Sequence, residues 1–284
     1  MMQSMTGFGK AETTFEDKKI VLEIRSLNSK NLDLNTRLPG FYKELESDFR
    51  KQIITALQRG KVDLALFYEA NGAESAAQIN LPIVKAYMAQ LSDFDLDEGE
   101  KLKLAIRLPD TLKTEKESIS EAEKKVLIQL SQKVLEQIVN FRQQEGNSLQ
   151  KDIAQRVAQL GNYLQKIESV APQRIPKVKE RLRNHLDELE AKIDENRFEQ
   201  ELIYYLEKYD ITEEKVRLKN HLDYFAEIME SQKSQGKKLG FIAQEIGREI
   251  NTIGSKANDA DLQKIVVQMK DELEKIKEQL LNVL

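Results

Sequence analysis

Residues 236–256, GKKLGFIAQEIGREINTIGSK, decide how the rest of the chain is read. Placed on a helix at 100° per residue, Leu239, Ile242, Ile246, Ile250 and Ile253 fall within about 40° of one line, so the stretch predicts an amphipathic helix with a core-facing stripe. Glu245, Glu249, Thr252 and Lys256 form a second row beside that stripe. Gln244, Arg248, Asn251 and Ser255 lie on the far side. Two carboxylates thus stack one turn apart, half-sheltered by the core.

The preceding stretch, DITEEKVRLKNHLDYF from Asp210 to Phe225, repeats the design. Ile211, Leu218, Leu222, Phe225 and, just beyond, Met229 form its apolar stripe, bordered by Glu214, Arg217 and His221. If the two helices pair through their stripes across the break at Gly236, their polar edges face each other over one groove. That groove would gather an imidazole and up to three carboxylates. Each residue also has a structural reading: Asp210 and Glu213 fit an N-cap and capping box, Glu245, Glu249 and Lys256 fit a solvated helix edge, and His221 fits a packed histidine.

Composition narrows the chemistry. With no cysteine in 284 residues, disulfides, thiolate nucleophiles and zinc–thiolate sites are excluded, and any metal must be held by oxygen and imidazole. Only His185 and His221 supply imidazole, and His185 sits in a charged helical stretch that reads as surface or packing. The net charge of -4 does not announce a nucleic-acid binder, so binding RNA requires the basic residues to segregate onto one surface. There is no apolar run long enough to span a membrane and no export leader, which gives a cytoplasmic expectation.

Outward from the central stretch, the chain reads as α+β: a small N-terminal α/β sandwich-like domain, then a long, mostly helical C-terminal region. The first 16 residues read as extended, with Gly7-Phe8-Gly9 as a bend or bulge. Lys19–Leu27 and Leu32–Leu38 alternate as strands, Phe41–Leu57 has helical spacing, Lys61–Tyr68 alternates again, and Leu81–Phe94 reads as a helix opened by Pro82. The expected divisions are 1–95 for the N-terminal domain, 96–118 for a connection, 119–208 for a long helical hairpin or arm, and 209–284 for the helical domain carrying the site. Gly146, inside the long pattern, suggests a packing or kink role. The closing helix from Ala260 is amphipathic, packing either on the chain's own core or on a partner.

Five separated motifs, QEIGREINTIGSK (244–256), DITEEKVRLKNHL (210–222), SMTGFGKAE (4–12), EIRSLNSKNLDLNTRLP (23–39) and RGKV (59–62), together resemble the YicC/YloC family of bacterial proteins. The middle of the chain matches mainly as helical pattern plus Arg142 and Glu145-Gly146. The resemblance implies a metal-dependent endoribonuclease that forms homohexamers and cleaves single-stranded or structured RNA. Under it, His221, Glu245, Glu249, Arg248 and Lys256 are the catalytic candidates. Glu245, Glu249, His221 and Glu214 would hold Mn²⁺ or Mg²⁺, and Arg25, Asn28, Lys30, Arg37 and Arg217 would contact RNA. Hard carboxylates with imidazole suit those ions. The sequence departs from the family pattern at Gly240, where an aspartate is common, at Gly247, which replaces a bulkier residue, and at Asn28-Ser29-Lys30, where the family reads Asn-His-Arg. No chemistry here depends on a carboxylate at 240 or a histidine at 29. The competing reading is a non-catalytic RNA-binding or oligomeric scaffold protein whose polar row is an interaction surface.

Overall fold

The computed structural model describes residues 2–70, 78–113, 119–188, 195–231 and 235–284. It divides into two compact units that are interleaved in sequence: Phe8–Ser26 with Asn31–Val139, and Met1–Gly7 with Leu27–Lys30 and Asn140–Leu284.

The first unit is built on a four-stranded sheet of β1 (Gly7–Phe15), β2 (Lys18–Leu27), β3 (Leu32–Arg37) and β4 (Gly60–Ala70), in the order β1-β2-β4-β3. β3 and β4 run parallel, with Leu32 opposite Gly60 and Arg37 opposite Ala65, so the chain between them must cross back, and α1 (Glu46–Ala56) makes that crossover. Alternation puts Ile20, Leu22 and Ile24 of β2 and Val62, Leu64 and Leu66 of β4 on one face, where they are buried with Phe49 and Ile53 of α1 and with Leu127, Val134 and Ile138 of a long helix, α4 (Glu121–Val170). The glycines near the N-terminus were expected to bend the chain. Instead Gly9 lies within β1, and a Cβ there would stand 2.6 Å from the Val134 carbonyl oxygen. The missing side chain permits close packing of helix on strand.

Residues 78–113 supply α2 (Leu81–Gln90), α3 (Glu98–Ala105) and the short antiparallel pair β5 (Gln78–Ile79) and β6 (Leu112–Lys113). The stretch read as a plain connection therefore holds a helix, capped by Asp97, whose carboxylate accepts the Glu100 N–H at 2.8 Å. Residues 114–118 lie outside the described structure.

α4 is a single helix of 50 residues, about 75 Å long, and its two parts belong to different units. In the second unit, Ile153, Val157, Leu160, Leu164 and Ile167 of α4 share a core with α7 (Thr212–Glu230), α8 (Gly236–Lys256) and α9 (Ala260–Leu280). The stripes read from spacing are the buried faces: Ile211, Leu218, Leu222, Phe225 and Met229 beside α7, and Leu239, Ile242, Ile246, Ile250 and Ile253 on α8. The closing helix packs on its own chain through Leu262, Val266, Met269, Leu273, Ile276 and Leu280. α5 (Arg174–Glu188) and α6 (Glu195–Lys208) complete the unit, and His185 is exposed on α5.

The two ends of the chain are stitched into this unit by backbone bonds. Ser4 N–H reaches the Arg142 carbonyl at 3.0 Å, Met5 N–H the Asn282 carbonyl at 2.8 Å, and Leu284 N–H the Gln3 carbonyl at 2.9 Å. Gly146 makes room for this segment, because a Cβ there would lie 2.2 Å from the Met2 carbonyl oxygen. Thr6 Oγ1 donates to Glu145 at 2.6 Å, and Arg142 Nη2 donates to the Met5 carbonyl at 3.0 Å. Burial of that guanidinium lowers its pKa to about 10. Arg142, Glu145 and Gly146 thus hold the N-terminal segment, the packing alternative offered for Gly146. Among the described residues no helix is long and apolar enough to cross a membrane.

Candidate functional site

α7 and α8 are joined across residues 231–235, a connection short enough to make them antiparallel neighbours. Asp210 opens α7: its Oδ1 accepts the Thr212 N–H at 2.9 Å and the Thr212 hydroxyl at 2.6 Å, and the hydroxyl above all holds the Asp210 carboxyl below the usual carboxylate range. Glu213, expected to complete a capping box, pairs instead with Arg217 one turn on, at 2.5 Å. α8 closes at Lys256 because the chain turns extended at Ala257, and Gln263 from α9 donates to the Gly254 and Ala257 carbonyls that the helix end leaves open.

The polar edges of the two helices do face each other. Lys256 Nζ, at the end of α8, bonds Glu214 Oε1, at the start of α7, at 2.7 Å. Glu214 is only 5% exposed, and its other oxygen, Oε2, is buried with no hydrogen-bond partner among the described residues. That pair fixes the register. Seven residues further into each helix, about 10 Å at 1.5 Å per residue, His221 on α7 comes level with Glu249 on α8. Glu249 is buried between Ile246 and Ile250, and no hydrogen bond or ion pair joins it to another described residue. The residue is largely covered, yet its oxygens are not among the sealed-off polar atoms, so the carboxylate stands open to a donor or cation arriving from the groove.

The remaining members of the row are engaged. Glu245, one turn from Glu249, is paired with Arg248 at 2.7 Å, on the exposed side of α8. Arg217 is exposed and held by Glu213. Among the described residues, no three His, Asp or Glu side chains gather into a metal-ligand group. Mg²⁺ and Mn²⁺ are often held by one or two carboxylates, with waters and substrate phosphates completing the shell; of the two carboxylates one turn apart on α8, Glu249 has no partner among the described residues and Glu245 is engaged by Arg248. Glu214 is the least available of the four expected ligands, since Lys256 already neutralises it.

The expected RNA contacts are divided between the units. On the sheet unit, Arg25 lies 3.4 Å from Glu23 and stacks over the Phe8 ring at 5.5 Å, while Arg37 is exposed on β3. The outward sheet face alternates in sign, with Lys10 on Glu23 at 2.8 Å and Lys19 on Glu12 at 3.0 Å. In the helical unit Lys30 is exposed, and the Asn28 amide donates to the Leu281 carbonyl at the end of α9. Sequence reasoning passed over a cavity at the Lys256 end of the groove, lined by Arg174, Tyr205, Tyr209 and Asn258 among others. The tyrosine pair at i and i+4 was its one visible signal.

Comparison with known proteins agrees along the whole length. A family model described as Endoribonuclease YicC-like, N-terminal region, matches residues 2–151, and one described as Endoribonuclease YicC-like, C-terminal, matches residues 167–284. The chain is 34% identical over 295 residues to a probable endoribonuclease YicC of Clostridioides difficile (strain 630), covering 100% of both. It is 29% identical over 287 residues to a probable endoribonuclease YicC of Haemophilus influenzae, again covering 100% of both.

Proposed function

Because the chain belongs to the YicC-like endoribonuclease family through both its halves, we propose that it is an endoribonuclease whose cleavage site is the α7–α8 groove. The observation that carries this reading is Glu249: a buried carboxylate without a partner among the described residues, which the register set by Lys256 and Glu214 puts at the height of the half-buried His221 on the facing helix. An imidazole there is suited to take the proton from the attacking oxygen, whether that oxygen belongs to water or to the RNA 2′-hydroxyl. Arg217 and Arg248 are exposed, and their ion pairs with Glu213 and Glu245 are weak surface pairs that a phosphate can replace. Lys256 acts from behind by neutralising Glu214 and fixing the helix register.

Glu249 and Glu245 would hold a divalent ion, Mn²⁺ or Mg²⁺, which when bound supplies charge stabilisation at the scissile phosphate. The exposed Arg25, Lys30 and Arg37 are read as further phosphate contacts, and Asn28, its amide already engaged, as a positioning residue. A cytoplasmic homo-oligomer, a hexamer by family expectation, is the proposed working form; exposed Ile203, Tyr204, Val216 and Phe241 offer apolar surface for subunit contact.

The deciding experiment incubates purified protein with defined single-stranded and structured RNAs, with Mn²⁺, Mg²⁺ or chelator. Cleavage that requires the ion, leaving 5′-phosphate ends, is expected of metal-assisted water attack. Cyclic 2′,3′-phosphate ends would instead assign the nucleophile to the 2′-hydroxyl. Absence of cleavage under every condition rejects the proposal in favour of a scaffold.

A further inference from the structure

The cavity at the Lys256 end of the groove measures about 340 Å³ and lies among Arg174 and Val178 of α5, Tyr205 of α6, and Tyr209, Asp210 and Asn258. Three helix ends meet here, those of α4, α6 and α8, and Arg174 ties them together. Its Nε donates to the Ala171 carbonyl at 3.2 Å, Nη2 to the Tyr209 carbonyl at 3.2 Å, and Nη1 to the Lys256 carbonyl at 3.5 Å. Its hydrogen-bonding capacity is thus largely committed to the frame, while its flat guanidinium remains a wall. The Tyr205 and Tyr209 rings lie 5.9 Å apart and 19° from parallel, adding flat apolar surface.

The polar atoms left over are mostly acceptors. Asn258 Nδ2 donates to the Tyr209 hydroxyl at 3.2 Å, which leaves the amide oxygen and one amide hydrogen. Asp210 Oδ1 is filled by the two bonds from Thr212, which leaves Oδ2. Glu207 adds a second carboxylate to the lining. Such a rim repels phosphate. It suits a flat ring that carries N–H donors along one edge, and RNA bases are recognised in this way, stacked on aromatic or guanidinium planes with their edges hydrogen-bonded. The volume is at the small end of ligand pockets, which fits one base with its sugar rather than a duplex.

We propose that this cavity binds one base of the RNA substrate, preferring guanine, whose N1–H and N2–H₂ present adjacent donors to Asp210 Oδ2 and the Asn258 amide oxygen. The subsite rests on the endoribonuclease reading and stands roughly 15 Å along the helices from the level of His221 and Glu249. It would place the scissile bond a few nucleotides from a held guanine and so give the enzyme a sequence preference.

The test titrates the full-length protein with GMP, AMP, CMP and UMP by calorimetry, and in parallel measures cleavage of two RNAs that differ only in containing or lacking guanine. GMP should bind at least tenfold tighter than UMP. Asp210→Asn keeps a capping oxygen for Thr212 but turns an amide donor toward the cavity, so it should reduce the GMP advantage to twofold or less with at most a small drop in the thermal melt. Tyr205→Ala should weaken all four nucleotides. Equal affinity for the four in the wild type, or a guanine preference that survives both Asp210→Asn and Asn258→Ala, overturns the subsite. If the wild type cleaves both RNAs equally and shows no GMP preference, the subsite fails and the nuclease stands. If GMP is preferred but no RNA is cleaved, the nuclease fails and the cavity stands as a nucleotide site.

Discussion

Glu123 in the sheet unit and Glu249 in the α7–α8 groove are both buried carboxylates beside apolar side chains, yet their surroundings differ. The fully buried Tyr42 donates its hydroxyl to Glu123 at 2.6 Å, and the Glu123 backbone N–H is capped by Ser120 at 3.1 Å. That bond serves one of the two Glu123 oxygens and fastens the start of α4 within its own unit. Among the described residues Glu249 has no such partner, and Glu214 is satisfied at one oxygen only. A fold that gives one buried carboxylate a donor of its own and leaves another without one has marked the second as the place for something from outside.

Removing a partner from the half-completed pair should have the largest effect. Lys256→Met leaves Glu214 buried with no counter-charge, for a loss of about 3 kcal/mol in chemical denaturation. Adding Glu214→Leu should recover most of it. A single variant as stable as the wild type would mean that Glu214 draws no stability from Lys256, and the register argument would lose its anchor. Next comes Tyr42→Phe, which strips Glu123 of its donor and should cost about 2 kcal/mol. RNA cleavage, measured at a temperature where both proteins are folded, should be unaffected.

The third substitution separates the two carboxylates most directly. Glu249→Gln removes the charge from a site that gives it no protein partner, so stability should hold within about 0.5 kcal/mol. Metal-dependent cleavage should fall by at least about tenfold, roughly 1.4 kcal/mol of lost transition-state stabilisation. Gel-based rates set against melting curves make the comparison. A stability loss with full activity would turn Glu249 into a second Glu123.

Much of this was legible in the sequence because it depends on helical period. The stripes of α7, α8 and α9 and the row Glu245, Glu249, Thr252, Lys256 follow from spacing alone, and the pairing of the two edges follows from the break that Gly236 suggests. What spacing does not encode is which distant backbone groups meet. The N-terminal segment joins the helical unit through main-chain bonds to residues 142 and 282–284, and main-chain bonds leave no trace in residue type beyond the bare Gly146. The Tyr42–Glu123 bond spans 81 positions. The cavity is likewise assembled from three helix ends by Arg174, through carbonyls 3, 35 and 82 positions away that no spacing rule connects to it.

A third kind of carboxylate sharpens the contrast, with the smallest effect. Asp210 is exposed and served at one oxygen by its neighbour Thr212, whose hydroxyl contributes most to holding the carboxyl below its ordinary range. A group whose folded pKa lies below its unfolded value, near 4, contributes stability that is complete above that unfolded value and is lost as pH falls through the folded one. Thr212→Val removes the hydroxyl and keeps the shape and the backbone N–H. The variant should therefore melt slightly below the wild type at pH 6, and the two should converge as pH falls through the lowered folded pKa and the carboxylate is protonated in both folded proteins. Solvent screening keeps the difference small at an exposed site. A gap that persists unchanged into acid would assign the loss to the threonine's packing and not to its bond with Asp210. A gap as large as that of Tyr42→Phe would mean that exposure does not set the scale, and the distinction between completed and open carboxylates would then have to rest on partners alone.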